Sequence, residues 1–316
     1  MLLHYVLRRL AFFIGAMFIA SVLIFVLIRA AGGNVAAVVL GRDASPEAIN
    51  ALATEYGLDR PWAVQYLDWI TGMMGGDLGQ SFRTGESVAD LVVSRLPISV
   101  PLAGAGLVLA ILIAIPAGTY AARNAGRSSG TLIALISQIG IAVPVFWAGV
   151  LLSLLFGVQL GWLPTGGWTP WNVSVLGAIQ SLVLPVLALG LVMAASLSRY
   201  VRTAVLDVMN QDYVRTARAT GMSQTRALLT VGLPNAALPI VTFLGLLIAE
   251  LIGGTVIIET VFSLPGLSRM ILSNVAAREV IVVQSTVMLI IVFVMFVNLV
   301  VDLLYGLLDP RIRVAG

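Results

Sequence analysis

Six stretches of this chain run for 19 residues or more with at most one charged side chain. They cover residues 10–28, 98–122, 131–158, 176–197, 236–258 and 280–301, and only Glu250 in the fifth breaks the neutrality. A helix needs roughly 20 mainly apolar residues to cross a bilayer. Inside lipid no water can satisfy the backbone, so a spanning segment must pair its own N–H and C=O groups as a helix. The chain is therefore expected to be an all-α polytopic membrane protein with six transmembrane helices. Its 10% charged residues fit, against about 25% in soluble proteins. The first run is read as a retained helix. Its 19 residues exceed the roughly 7–15 of a signal-peptide core, and no A-x-A site closes it.

Composition also removes chemistry. There is no Cys, so no disulfide, thiolate nucleophile or cysteine metal site. The one His is His4, which leaves no internal Ser–His pair. All 18 basic residues are Arg. Without Lys the chain has no P-loop lysine, no kinase lysine and no Schiff base. No catalytic residue, metal ligand or cofactor site is expected in it.

Arginine placement sets the expected orientation, because cytoplasmic loops carry the basic excess. With the N-terminus inside, the inner segments hold Arg8, Arg9, Arg123, Arg127, Arg199, Arg202, Arg215, Arg218, Arg226, Arg311 and Arg313. They carry only three acids, Asp207, Asp212 and Asp309. The outer segments hold 7 Arg and 9 acids. Both termini are thus expected in the cytoplasm. The inner loops account for the basic balance, and no nucleic-acid surface is needed.

Two connections are too long to be simple turns of about 4–6 residues. The outer one, 31–97, has a helix start at Pro46 and another at Pro61-Trp62. Trp62, Tyr66, Trp69 and Ile70 then form an amphipathic stripe before Gly72, Gly75, Gly76 and Gly79 break the helix. Two compatible readings stand: a helical cap with its aromatics at the membrane interface, and a docking surface for an external partner. The inner connection, 199–235, reads as helix, Gly221 break, second helix and approach to the next span. Ser223 suits an N-cap and Gly221 a left-handed C′ position. Its residues alone leave open a solvated basic loop or a docking helix-turn-helix.

Within this connection lie Arg215, Thr216, Ala217 and Gly221, followed by Val231, Leu233 and Pro234. Their spacing resembles the EAA loop of type I ATP-binding-cassette importer permeases, with Arg215 at the Glu position and Thr216 at the first Ala. The run Tyr213-Val214-Arg215-Thr216-Ala217-Arg218-Ala219 is similar to the oligopeptide/dipeptide branch. So are Tyr56-Gly57-Leu58-Asp59-Arg60-Pro61, Gln65-Tyr66-Leu67, Gly76-Asp77-Leu78-Gly79, Arg95-Leu96-Pro97, Gly161-Trp162-Leu163-Pro164, the run from Glu259 to Gly266, and Asp309-Pro310-Arg311-Ile312-Arg313. In this order, on six spans, they resemble a B-type permease subunit.

The resemblance implies a bacterial inner-membrane importer subunit for peptides or a related small solute. It implies a type I transmembrane domain with a helical extracytoplasmic segment between helices 1 and 2. The implied division is a first helix at 1–30, an extracytoplasmic segment at 31–94, a core at 95–306 and a cytoplasmic tail at 307–316. The implied partners are a homologous C-type permease, two ATPase subunits that bind ATP and Mg, and an extracytoplasmic binding protein. The loop 199–235 would be the coupling element. Its residues would be Tyr213, Arg215, Ala217, Arg218, Ala219, Gly221, Leu233 and Pro234.

Glu250, an acid in mid-span, is a candidate for the translocation path. Glu259 lies nine residues on, about half a turn around the helix, so the two acids are not a paired site. Asp302 is expected near the C-terminal arginines. Pro116, Pro144 and Pro185 are expected to kink their spans or simply to pack, and Gly104, Gly106, Gly253 and Gly254 to give small packing faces. Trp162 and Trp168 are expected in the outer aromatic belt. The rival reading is a secondary transporter or channel driven by an ion gradient. It would want an inverted repeat or a ring of like charges, and neither is evident.

Overall fold

In the computed structural model residues 2–32, 35–40 and 44–308 are described. The C-terminal motif 309–313 and its expected contact with Asp302 lie outside them. Thirteen α-helices are described: α1 (Leu2–Gly32), α2 (Val35–Leu40), α3 (Pro46–Glu55), α4 (Trp62–Met74), α5 (Val88–Arg123), α6 (Ser128–Ala142), α7 (Val145–Leu152), α8 (Val175–Met209), α9 (Asp212–Ala219), α10 (Gln224–Ala227), α11 (Leu233–Val261), α12 (Leu267–Ala276) and α13 (Val280–Leu308). Five helical segments are long and apolar enough to cross a membrane, and six if α6 and α7 count as one broken span.

The break in that third span is sharper than its composition suggests. Its halves are bent by 98°. Pro144 disfavours helical backbone in the residue before it. Val143 accordingly turns extended, with φ −83° and ψ 116°. Beyond α7 the chain widens into a π-helical turn, Ser153–Gln159. By contrast α8 stays helical through Pro185 and α5 through Pro116.

The chain divides into two compact units. The larger contains residues 98–265, with 2–5 and 300–308 at its ends. Its core is built on α8, where Leu182, Leu189, Leu197, Val201 and Val205 are buried in one cluster with Leu102 of α5 and Leu247 and Ile258 of α11. Small residues set the spacing. A Cβ at Gly118 would lie 2.6 Å from the Ser198 carbonyl oxygen, and one at Gly140 2.7 Å from Ala195 Cβ. Gly106 and Gly254 both abut Leu189, as expected of packing faces, whereas Gly104 and Gly253 face open space. Trp168 packs edge-on to Trp171 against this core, while Trp162 is exposed.

The other unit holds 6–97 and 266–299. Ser45 caps α3 by accepting the Ala48 N–H at 3.2 Å. Hydrogen bonds from its own backbone N–H and from Ser45 hold the Glu47 carboxyl below the usual range. The aromatic stripe of α4 does not face outward. Tyr66, Trp69 and Ile70 pack on Ile24, Phe25 and Met288, and Trp69 Nε1 donates to Ser285 Oγ at 3.1 Å. Only Trp62 of the stripe is exposed. Neither the interfacial-belt nor the docking reading of the stripe holds for the other three, because α1 and α13 supply the apolar surface they cover. The glycine breaks are as expected: Gly76 and Gly79 have φ +88° and +86°. α5 begins at Val88, earlier than the expected boundary near 95, because Val88 and Val92 are buried with Leu78, Met270 and Val282.

The buried carboxylate of Glu279 fastens this unit together. It accepts the backbone N–H groups of Phe82 at 3.1 Å and Arg83 at 2.7 Å, nearly 200 residues away in sequence. Glu279→Ala would take the carboxylate from the Phe82 N–H and leave the Arg83 N–H only its 3.3 Å bond to Ser81 Oγ, and a hydrogen bond to a charged group is worth about 1.5–3 kcal/mol. The variant should unfold at a lower temperature in detergent than the wild type, with Glu279→Gln in between. Equal melting of all three would refute the clamp.

Candidate coupling site

At about 1.5 Å per residue the 35 residues of α8 reach about 52 Å, against about 30 Å of hydrocarbon. One end must therefore project beyond the bilayer. Leu197, Val201, Ala204 and Val205 repeat at helical spacing and remain buried, so the apolar stripe carries the helix onward. Residues 199–209, which open the 199–235 connection, are thus the end of α8 itself, and the helix expected before the Gly221 break is α9. Tyr200 on this extension stacks on Phe243 of α11, with ring centroids 4.1 Å apart.

The chain then leaves α8 for a short amphipathic helix. α9 buries Val214 and leaves Tyr213, Arg215, Arg218 and Ala219 exposed, with Ala217 half-buried. The Arg215–Asp212 pair, at 3.5 Å with both side chains largely exposed, is a weak tether worth at most about 1 kcal/mol. Both guanidinium groups are thus presented to solvent.

α9 ends in a Schellman turn. The N–H of Gly221 bonds Arg218 O at 3.0 Å, and that of Met222 bonds Ala217 O at 3.1 Å. Gly221 takes φ +97°. Ser223 then caps α10 by accepting the Arg226 N–H at 3.3 Å. Both features match the expectation from sequence.

The junction between α10 and α11 departs from the simple approach to a span that its sequence pattern suggests. α10 runs into α11 through a π-helical turn, Leu228–Gly232, in which the Leu233 N–H reaches back five residues to Leu228 O. Pro234 explains it. Its missing N–H and bulky ring disrupt the normal bond to the fourth residue back, and the wider turn absorbs the fault without ending the helix. Leu233 and Pro234 therefore sit in the first turn of a span and not in a free loop.

Glu250 lies on the same α11. Its side chain is exposed on the surface of this chain, in line with Leu246, Gly253 and Ile257, which are exposed too. Glu259 faces the other way, fully buried, and accepts a hydrogen bond from Ser99 Oγ at 2.5 Å. The two acids stand apart, as expected.

The family model for the binding-protein-dependent transport system inner membrane component matches residues 114–314. The model for the N-terminal part of such membrane components matches 1–103. The chain belongs to this family. Among its relatives, the glutathione transport system permease GsiC of Escherichia coli is 38% identical over 312 residues, spanning 99% of both chains. The oligopeptide transport system permease AppB of Bacillus subtilis is 37% identical, spanning 98% of this chain and 99% of that one. The fold resembles a chain of the inward-facing methionine transporter MetNI, with TM-score 0.56, 16% identity, and coverage of 69% of this chain and 96% of that one. That likeness gives the architecture, a type I importer transmembrane domain. The chain is a non-catalytic, multi-pass inner-membrane subunit of an ABC importer that works with ATPase and binding-protein partners and holds no cofactor itself.

Gly221 offers a test of the turn. No atom would lie within 4 Å of an added Cβ, so any penalty comes from positive φ alone. That penalty is about 1–2 kcal/mol for most side chains and smaller for Asn. Gly221→Val should lose transport while the protein still inserts, and Gly221→Asn should retain most of it. Equal transport by both variants would show that the turn does not matter.

Proposed function

We propose that this subunit forms half of the translocation path for peptides or a related small solute, and that α9 with its flanking turns couples it to an ATPase subunit. The substrate class is supported by relatives named for oligopeptide and glutathione transport. The coupling reading is supported by one observation above all. α9 is a short helix with an exposed basic face, tied at one end to α8 and at the other, through α10 and the π turn, to α11. A push on α9 therefore reaches two spans at once. Tyr213, Arg215, Ala217, Arg218 and Ala219 would seat in the ATPase, Gly221 would set the angle, and Leu233 and Pro234 would pass the motion into α11.

The arginine distribution supports cytoplasmic termini, which puts α9 on the ATPase side and the 31–94 segment outside. The second half of the path would come from a homologous C-type permease. When ATP closes the ATPase dimer the coupling helices approach each other, and the spans rock from inward- to outward-facing. Exposure of Glu250 on a spanning surface supports a place for it on the path, because a carboxylate is too costly to leave against lipid.

Since the chain has no Cys, a single introduced cysteine reports cleanly. Ala219→Cys should cross-link to an ATPase subunit, and Arg215→Ala with Arg218→Ala should weaken assembly more as salt rises. Absence of the cross-link together with salt-insensitive assembly would refute the coupling role. On the path, Glu250→Leu should cut solute uptake while ATP hydrolysis persists. Undiminished uptake would remove Glu250 from it.

A further inference from the structure

The unit containing α4 holds a cavity of ≈ 270 Å³ that the coupling reading leaves unused. Arg29, at the end of the first span, and Gln284, near the start of the last, line it together with Gln65, Glu55, Asp68 and Asp77. Gln284 is fully buried, yet neither its Oε1 nor its Nε2 has a hydrogen-bond partner among the described residues. Gln65 is 8% exposed; its Nε2 bonds Leu58 O and Arg60 O while its Oε1 is unpartnered among the described residues. Arg29 Nε is unpartnered as well. Buried polar groups are nearly always paired, and an amide left with neither bond calls for an occupant.

The charges say what kind. Asp68 is already paired with Arg60, and Asp77 accepts the Gly79 N–H. Glu55 has no such partner among the described residues, so it is available to an ammonium group, and Arg29 to a carboxylate. In the same lining the two glutamines offer donor and acceptor atoms suited to an amide. The volume is near the low end of ligand pockets, about 300–1,000 Å³, which limits the occupant to something small.

We propose that this cavity is a binding site for a small zwitterion with an internal amide, of dipeptide size: carboxylate toward Arg29, amide toward Gln284 and Gln65, ammonium toward Glu55. The proposal takes the outward orientation and the peptide class from the function proposed above and adds where such a solute is received. A phosphatidylethanolamine headgroup shares the two charges but lacks the amide, so the glutamines favour the peptide.

The test uses the assembled importer in phosphatidylcholine nanodiscs without binding protein, titrated with Ala-Ala and followed by saturation-transfer NMR. A saturable signal is expected, weakened at least about tenfold by Gln284→Leu and, independently, by Arg29→Gln, since each removes a partner the solute needs. Gln284→Leu should assemble and melt like the wild type or better, because it removes an unpaired buried amide. No saturable signal, an undiminished signal in both variants, or displacement by added phosphatidylethanolamine would overturn the proposal. Peptide uptake by the complete system in proteoliposomes separates the two readings. Uptake without a saturable signal refutes the cavity alone. A saturable signal in a system that moves no peptide supports the cavity and refutes the transport substrate.

Discussion

Lipid tails are as apolar as leucine, so burying apolar side chains does little to drive helices together within a bilayer. Close packing of small residues must do so instead. α8 is where this chain meets that constraint. Its Gly190 lets Leu109 and the Gly106 carbonyl of α5 approach so closely that a Cβ there would lie 2.8 and 3.0 Å from them. Gly118 and Gly140 admit α8 equally closely, and Gly254 brings α11 against Leu189. The larger unit is organised around this helix, and the same helix continues past the spanning length toward α9.

The proposed coupling would draw on that continuity. α9 adheres through little more than Val214, and most of its surface remains free for a partner. Its two attachments differ in kind. The link to α8 is a short turn, Asn210–Gln211, whereas the link to α11 passes through the Gly221 turn, α10 and a π turn held at Pro234. The π turn sits where Pro234 has no N–H to give, so this second link departs from the regular helix that α8 keeps.

Much of this was legible in the sequence because it rests on local rules. Charge-free runs marked the spans, and Gly221 followed by Ser223 marked a helix end and a helix start. What stayed hidden depends on distant partners. The periodicity of Tyr66, Trp69 and Ile70 announced an apolar face but not that Phe25 and Met288 would cover it. Pro144 signalled an interruption, but not that its halves would turn by 98°. Neither Glu279 nor Gln284 belongs to a motif. Glu279 matters through backbone groups nearly 200 residues earlier, and Gln284 through what its amide lacks.

The central claim is that the ATPase seats on α9. Hydrogen–deuterium exchange of this subunit in nanodiscs, with and without its ATPase partners, tests it most directly. An eight-residue helix on an exposed surface opens readily, so its amides should exchange fast in the isolated subunit. The account predicts that residues 212–222 gain protection on assembly, more than any other segment outside the spans. Unchanged exchange across 212–222, with new protection elsewhere, would contradict it.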